Sequence, residues 1–317
     1  GGGGKTLAVE AVGYQDPGLL WAGTEGNQLA RVDLGSGTVQ VLNLWGEDKC
    51  KSVTAMLTNG EDALYGGCLD GAVFRIPPSG IQKSKIEWPL GSNGSKVAGL
   101  SEDRSHYIWV SSRGAGFTRL PNSPHEEAEY LGRENGLLSE GGEAVMEDEE
   151  GTYWFAQTGG ISKLRANSRA FRNLTANSRG GTAPALPSPG VRSVRTTGDD
   201  RSSTLWVATG LGLVVRSRDT SDLLGAADGL GSDNMWLLCP DNQGRMWVNS
   251  NNSVSVILPK GETNLEGFET RRTTTINGEP RVVLSRQWYR SRACSTVDLP
   301  EREDGRPRAD AICFGGK

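Results

Sequence analysis

The phrase Leu20-Trp21-Ala22-Gly23-Thr24 returns five more times along this chain of 317 residues, each time with an aromatic residue in second place. Successive aromatic residues are 44, 44, 45, 52 and 41 positions apart. The later copies are Leu64-Tyr65-Gly66-Gly67-Cys68, Ile108-Trp109-Val110-Ser111-Ser112, Tyr153-Trp154-Phe155-Ala156-Gln157, Leu205-Trp206-Val207-Ala208-Thr209 and Met246-Trp247-Val248-Asn249-Ser250. A strand-like phrase that recurs every 40–50 residues or so predicts an array with one supersecondary unit per repeat.

Each repeat contains a turn former and several short runs of alternating apolar residues. The turn former lies six residues before the aromatic residue, at Asn59, Asp103, Asp148, Asp200 and Asp241. Apolar runs with a period of two lie before this turn and after the aromatic strand, which is the pattern of β-strands. A unit of four antiparallel strands is one blade of a β-propeller, so the sequence predicts an all-β propeller.

The repeated tryptophans have a structural interpretation. An aromatic side chain that occupies the same slot of every blade fills the space between adjacent sheets, where it buries a large apolar area. This role is predicted for Trp21, Trp109, Trp154, Trp206 and Trp247.

A second phrase leads into the innermost strand of three repeats, as Asn135-Gly136-Leu137-Leu138-Ser139, Leu186-Pro187-Ser188-Pro189-Gly190-Val191 and Asp228-Gly229-Leu230-Gly231-Ser232. Together the two phrases resemble the repeats of two-component regulator propellers, over residues 7 to 259. The resemblance implies a seven-bladed propeller. It also implies the sensor part of a periplasmic or extracellular region of a hybrid histidine kinase, although other members stand alone or join different output modules.

The last blade departs from this pattern. The sequence predicts a glycine-rich leader over residues 1–6, six blades over 7–269 and a divergent partial seventh blade over 270–317. Residues 281–284 are expected to form the inner strand of that blade, and 310–316 the next strand, with Cys313 in the Trp slot. Because an unpaired edge is normally covered, we expect either a longer polypeptide or a partner that supplies the missing strands.

Composition excludes several classes of partner. The net charge is −4 and the pI is about 5.5, so no basic surface for nucleic acid is predicted. The acidic run 147–150 is interpreted as a solvated turn. No apolar run approaches the length of about 18 residues that a membrane span needs. Five scattered cysteines form no C-x-x-C pair, so zinc is not expected and a disulfide stays unassigned.

Catalytic and cofactor motifs are not found either. Gly3-Gly4-Lys5-Thr6 lacks the preceding strand and glycine of a phosphate-binding loop, so no nucleotide cofactor is predicted. The two histidines, His106 and His125, have no Gly-x-Ser-x-Gly motif and no ligand spacing beside them. The sequence therefore predicts no catalytic residue, no metal site and no cofactor.

One position of the innermost strand, which we call the variable slot, holds residues of different charge and size from repeat to repeat. A position used for packing would repeat one residue type. The slot lies five residues before the Asp turn and holds Glu10, Thr54, Ala98, Glu143 and Trp236. In the fifth repeat, where the turn is longer, the corresponding residue is Arg192. We predict that Glu10, Glu143, Arg192 and Trp236 bind a ligand at the channel face, with a solvent-facing strand end as the alternative. Trp236 would stack on a carbohydrate or another planar ligand, or else would fill the narrow end of the channel.

These observations predict a non-catalytic propeller that senses a ligand or binds a protein, located in the periplasm or outside the cell. Its partner would be another protein or a downstream module of the same polypeptide. A scaffold subunit of a larger assembly is the alternative, and a propeller lyase is less favoured because neither histidine is placed in the channel.

Overall fold

The chain forms antiparallel sheets, and two short 3₁₀ helices lie between strands in the part of the chain that the structure describes. The computed structural model describes residues 9–15, 18–24, 28–43, 50–59, 63–77, 95–120, 128–165, 171–175, 186–198, 203–217, 220–241, 243–251, 253–265, 268, 270–287, 293–296 and 311–314, the last two as backbone. The predicted leader over 1–6 and the segment that contains His125 lie outside these residues.

The first three sheets follow the chain from strand to strand. The first contains β1 (Val9–Gln15), β2 (Leu19–Thr24), β3 (Leu29–Asp33) and β4 (Val39–Leu42). The second contains β5 (Val53–Thr58), β6 (Leu64–Cys68) and β7 (Val73–Ile76), so three strands are described where four were predicted. The third contains β8 (Val97–Glu102), β9 (Ile108–Ser112), β10 (Gly116–Leu120) and β11 (Glu129–Leu131).

The fourth and fifth sheets each have the predicted four strands. The fourth contains β12 (Gly142–Glu147), β13 (Thr152–Gln157), β14 (Gly160–Arg165) and β15 (Arg172–Thr175). The fifth contains β16 (Val191–Thr197), β17 (Thr204–Thr209), β18 (Gly212–Arg216) and β19 (Ser221–Leu224). The 3₁₀ helices Arg133–Asn135 and Ala226–Asp228 precede β12 and β20.

The sixth sheet corrects one prediction. It contains β20 (Met235–Pro240), β21 (Met246–Ser250), β22 (Ser253–Ile257), then β24 (Glu279–Gln287) and β23 (Thr270–Ile276) at its edge. Residues 281–284 are therefore not the inner strand of a seventh blade, because they pair with β22. Asn277 and Gly278 both have positive φ, at 51° and 77°, and make the tight turn that folds β23 back onto β24. The sixth sheet thus continues past residue 269, where the sixth blade was predicted to end.

The innermost strands form a closed ring. Each of β1, β5, β8, β12, β16 and β20 contacts the next, and β25 (Ala293–Thr296) contacts both β20 and β1. β25 pairs with β26 (Ala311–Phe314), which takes the second-strand place predicted for the region of Cys313. Since two strands are described for this last sheet, the count of seven full blades stays a prediction.

The tryptophan slot is a packing position, as predicted. Trp21, Trp109, Trp206 and Trp247 are buried, and Trp154 is half-buried. Trp206 belongs to an apolar cluster that joins the fifth and sixth sheets together with Leu213 of β18, Leu238 of β20 and Val283 of β24.

The Asp turns hold the tryptophans in place. The Oδ1 atom of Asp148 accepts hydrogen bonds from the backbone N–H groups of Glu150 and Thr152, at 3.1 and 2.8 Å. Its Oδ2 atom accepts one from Trp154 Nε1 at 2.7 Å. The same pattern of bonds recurs at Asp103 with Trp109 and at Asp241 with Trp247, and Gln15 and Thr197 accept from Trp21 and Trp206. The side chain of Asp148 is buried, so the prediction of a solvated acidic run holds for Glu149 and Glu150 but not for Asp148.

One disulfide is assigned by the structure. Cys50 precedes β5 and Cys68 ends β6, their Cα atoms are 5.1 Å apart, and the bond closes a loop of sequence separation 18. Among the described side chains, Cys239 is a free, buried cysteine.

Candidate functional site

The same irregularity interrupts the innermost strand of the first six sheets. In each of these strands the pairing with its neighbour skips the second residue, which is the mark of a β-bulge. A bulge leaves one residue outside the hydrogen-bond ladder and turns its side chain in a new direction. The skipped residues are Glu10, Thr54, Ala98, Glu143, Arg192 and Trp236.

These six residues are the variable slot that the sequence singled out, and all of them line one cavity of about 480 Å³. They lie where the innermost strands begin, an end of the channel that we call the channel mouth. The volume is within the range of about 300–1,000 Å³ that is usual for small-molecule pockets. The structure therefore brings the four predicted ligand-binding residues, Glu10, Glu143, Arg192 and Trp236, to the same cavity.

The side chains at the channel mouth are unequal in size. Ala98 is small, and the hydroxyl of Thr54 is used by the fold, because it donates to the carbonyl oxygen of Val97 at 2.6 Å. The fourth, fifth and sixth sheets instead contribute the long side chains of Glu143, Arg192 and Trp236. The innermost strands of the second and third sheets thus contribute the two smaller side chains of this slot.

Glu143 forms an ion pair with Arg113 at the channel mouth. Its Oε2 atom accepts hydrogen bonds from Arg113 Nη2 and Nε, at 3.0 and 3.3 Å. Burial raises the pKa of the Glu143 carboxyl, and the charges of Arg113, Arg192 and Lys96 offset this rise only in part. Glu143 is thus a carboxylate held in a partly dehydrated place by three surrounding cations.

Arg192 and Trp236 form a stacked pair. The guanidinium carbon of Arg192 lies 3.7 Å from the centre of the Trp236 ring, in cation–π geometry. Arg192 Nη1 also donates to Asn234 Oδ1 and to the carbonyl oxygen of Met235, and Trp236 Nε1 donates to Asn251 Oδ1. Burial lowers the pKa of Arg192, and the Glu143 charge opposes this effect. The pair is fixed in orientation, with one face of the Trp236 ring covered by Arg192.

Two cations of the site were missed by sequence reasoning. Lys96 lies just before β8 and Arg113 just after β9, and the backbone N–H of Arg113 donates to the carbonyl oxygen of Lys96 at 3.0 Å. The antiparallel pairing of Ser112 with Val97 brings the end of β9 to the start of β8. A charged residue directly after a Trp-slot strand is the signal that would have found Arg113.

His106 lies in the turn after β8 and is exposed, and its Nδ1 atom is 2.9 Å from Glu102 Oε1. Within the described part of the chain, no group of three or more His, Cys, Asp or Glu side chains could hold a metal ion. The same residues contain no helix that is long and apolar enough to cross a membrane.

Comparisons with known proteins agree with this architecture. Residues 229–252 match the family model of the two component regulator propeller. No curated protein sequence gives a match to the chain. The fold is similar to the extracellular domain of the putative hybrid two component system BT3049 from B. thetaiotaomicron, with a TM-score of 0.63 and 17% identity. That likeness covers 97% of this chain and 44% of the BT3049 chain, so this chain spans less than half of that relative's length.

Two WD40 propellers are similar as well. The WD40 β propeller domain of Doa1 has a TM-score of 0.61 at 12% identity, covering 99% of this chain and 91% of its own. The WD40 repeats of RRP9 have a TM-score of 0.56 at 11% identity, covering 80% of this chain and 77% of their own. The fold is therefore that of a β-propeller, and residues 229–252 are similar to the two component regulator propeller, the family that the two recurring phrases resemble.

Proposed function

We propose that this propeller is a non-catalytic sensor domain that binds a small ligand at the channel mouth. The observation that carries the proposal is the coincidence of six β-bulges at one level of the channel. Each bulge frees a side chain from the sheet ladder, and the freed side chains differ in charge and size although the frame around them repeats. A position used for packing would hold one type of residue in every repeat, whereas a binding site needs side chains that differ.

The location proposed for this domain is the periplasm or the cell exterior. The Cys50–Cys68 disulfide supports it, because such bonds persist in oxidising compartments. The likeness in fold to the extracellular domain of BT3049 points the same way. The ligand signal would then pass to a neighbouring module or protein.

A binding screen tests the ligand site. Purified protein is exposed to a library of neutral and charged small molecules, including carbohydrates, and binding is measured by calorimetry. We expect hits that are weakened at least about tenfold by Trp236→Ala, which removes an aromatic ring from the cavity lining, and by Ala98→Leu, which adds a bulky side chain to that lining. The exposed Arg133→Gln should bind as the wild type does, and hits insensitive to both cavity variants would contradict the proposal.

Protein binding is the second candidate function. Val39 and Val41 of β4 are 60% and 46% exposed, and Leu34 in the turn between β3 and β4 is 43% exposed, which gives the first sheet exposed apolar side chains at its outer edge. WD40 propellers share the fold. Isolation of the native protein under mild conditions separates the two candidates: stoichiometric co-purification with other subunits favours a scaffold, and a chain free of them favours the sensor.

A further inference from the structure

The channel below the mouth changes in character with depth. Because each of the six innermost strands begins at the mouth, the residue that follows the bulge lies one level deeper in the channel. The side chains of this level are small or apolar, and all of these residues line the cavity: Ala11, Ala55, Gly99, Ala144, Ser193 and Leu237. The hydroxyl of Ser193 is used by the fold, because its side chain is fully buried and its Oγ atom accepts the backbone N–H of Leu238 at 3.3 Å. The side chains of this level therefore offer a ligand apolar contact rather than hydrogen bonds.

Larger apolar side chains lie deeper, on one side of the channel. Met56 of β5, Leu100 of β8 and Met146 of β12 line the cavity, and these three strands are neighbours in the ring. Each of the three side chains packs against the core behind its strand and yet is only partly buried. We call them the apolar wall. Apolar surface that faces a water-filled cavity costs free energy, which an apolar group of a ligand regains when it covers that surface.

Charged residues bound the apolar wall at its far end. Glu102 ends β8, Glu147 ends β12, and both line the cavity, as does Arg195 near the end of β16. At the other end, the wall meets the polar and charged residues of the variable slot. The cavity is therefore polar at its two ends and apolar between them. Such an order suits a ligand whose polar part stays at the mouth and whose apolar part enters the channel.

We infer that the ligand of this propeller carries an aliphatic group, which lies against Met56, Leu100 and Met146 while the polar part of the ligand contacts the variable slot. Two of the three wall residues are methionines, whose unbranched, flexible side chains adapt to the shape of an aliphatic chain. This inference rests on the proposed function, because it names the chemical class of the ligand for the same site.

The methionines give a direct test. The chain contains four of them, and Met235 and Met246 are buried in the apolar cluster that joins the fifth and sixth sheets. Protein labelled with ¹³C-methyl methionine is titrated with n-alkyl β-glucosides, from methyl to octyl, below their micelle concentrations. Met56→Leu and Met146→Leu assign the two wall resonances. We expect the longer glucosides to shift the resonances of Met56 and Met146 and to leave those of Met235 and Met246 in place.

The affinities should follow the length of the alkyl chain. Each methylene that covers the apolar wall should tighten binding about fourfold. Leu100→Asn and Met146→Gln nearly keep the size of the side chain but make it polar, so each should reduce this gain to less than about twofold per methylene. The matched control is Leu211→Asn, because Leu211 is 61% exposed and lies outside the cavity lining, and it should keep the full gain. If Leu100→Asn does not fold, Met146→Gln provides the test.

The outcomes separate this inference from the proposed function. Glucosides that bind without a gain from chain length, or without a shift of the Met56 and Met146 resonances, would overturn the aliphatic inference and leave the sensor proposal standing. A full gain in both Leu100→Asn and Met146→Gln would also overturn it, because the alkyl chain would then lie elsewhere. If no glucoside binds, the inference fails, and the library screen decides the proposed function: hits weakened by Trp236→Ala uphold the sensor, and a lack of such hits removes it as well.

Discussion

At the scale of single residues, the carboxylate of Asp148 has two structural roles at once. One oxygen caps the turn between β12 and β13, and the other fixes the indole of Trp154. The turn former and the aromatic residue six positions later are thus two ends of one hydrogen-bonded unit. This explains why the two recur together along the chain.

Asp148→Ala should therefore destabilise the protein by about 2–4 kcal/mol, because three buried or half-buried donors lose their acceptor. Chemical denaturation measures the free energy of unfolding. Glu149→Ala removes the same charge from an exposed neighbour and should change this free energy by less than about 0.5 kcal/mol. Equal effects of the two substitutions would show that Asp148 acts through net charge alone.

Glu143 gives a prediction with a definite sign in pH. Since burial raises its pKa in the folded state, the protonated form stabilises the fold, and that contribution is lost as the pH rises through the folded pKa. Glu143→Gln mimics the protonated form at every pH. The free energy of unfolding of this variant, relative to wild type, should therefore increase from pH 4 to pH 7. Glu149→Gln serves as the exposed control, and a flat difference for Glu143→Gln would contradict the assignment.

At the scale of elements, the sequence was most informative where a signal repeats. The Trp-slot strands, the Asp turns and the burial of the tryptophans could be predicted from the spacing of the repeats. Every blade makes the same packing contacts, so the same residue types recur at the same places. The variable slot could be located for the same reason, as an exception to the repeat. Its cause, the bulge, could not be predicted, since the register of a strand pair depends on backbone geometry that single residues do not encode.

The hairpin of β23 and β24 was missed although its turn carries a strong local signal. Asn277-Gly278 between two strand-like runs is the usual sequence of a two-residue hairpin turn. The expectation of four strands per blade assigned these residues to the next blade, so the global pattern overrode the local one. Arg113 and Lys96 were missed because they flank strands rather than lie within them.

The disulfide joins the segment just before β5 to the end of β6 in the second sheet. Closing a loop of this length is worth about 3 kcal/mol, because it restricts the unfolded chain. The double variant Cys50→Ala/Cys68→Ala should unfold at correspondingly lower denaturant concentration, and dithiothreitol should lower the wild type to the same value. The reductant should leave the double variant unaffected, and a further loss there would mean that it acts elsewhere.

At the scale of the whole molecule, each sheet in the ring has two faces, which the neighbouring sheets shield from solvent. On the first sheet, Val12, Ala22, Ala30 and Val41 are successive partners across β1 to β4. The inner three are buried, whereas Val41 is 46% exposed. The side chains of this face are therefore buried as far as β3 and exposed at β4, which lies at the outer rim of the ring.

Val39→Lys/Val41→Lys should leave the free energy of unfolding within about 0.5 kcal/mol of wild type, because both side chains are exposed. If the apolar rim binds another protein, the same double variant should lose the subunits that co-purify with the wild type. Sedimentation velocity of the native complex measures this loss. A complex of unchanged size would show that the rim is not the contact surface.

The repeated bulge also has a consequence for how such proteins diversify. Because the skipped residue takes no part in the ladder, a substitution there leaves the neighbouring strand pairs as they were. Each blade can then change its contribution in a single mutational step without a change in the register of its strands. Six such positions around one opening would allow gene duplication to yield receptors with new chemical preferences while the architecture that displays them stays the same.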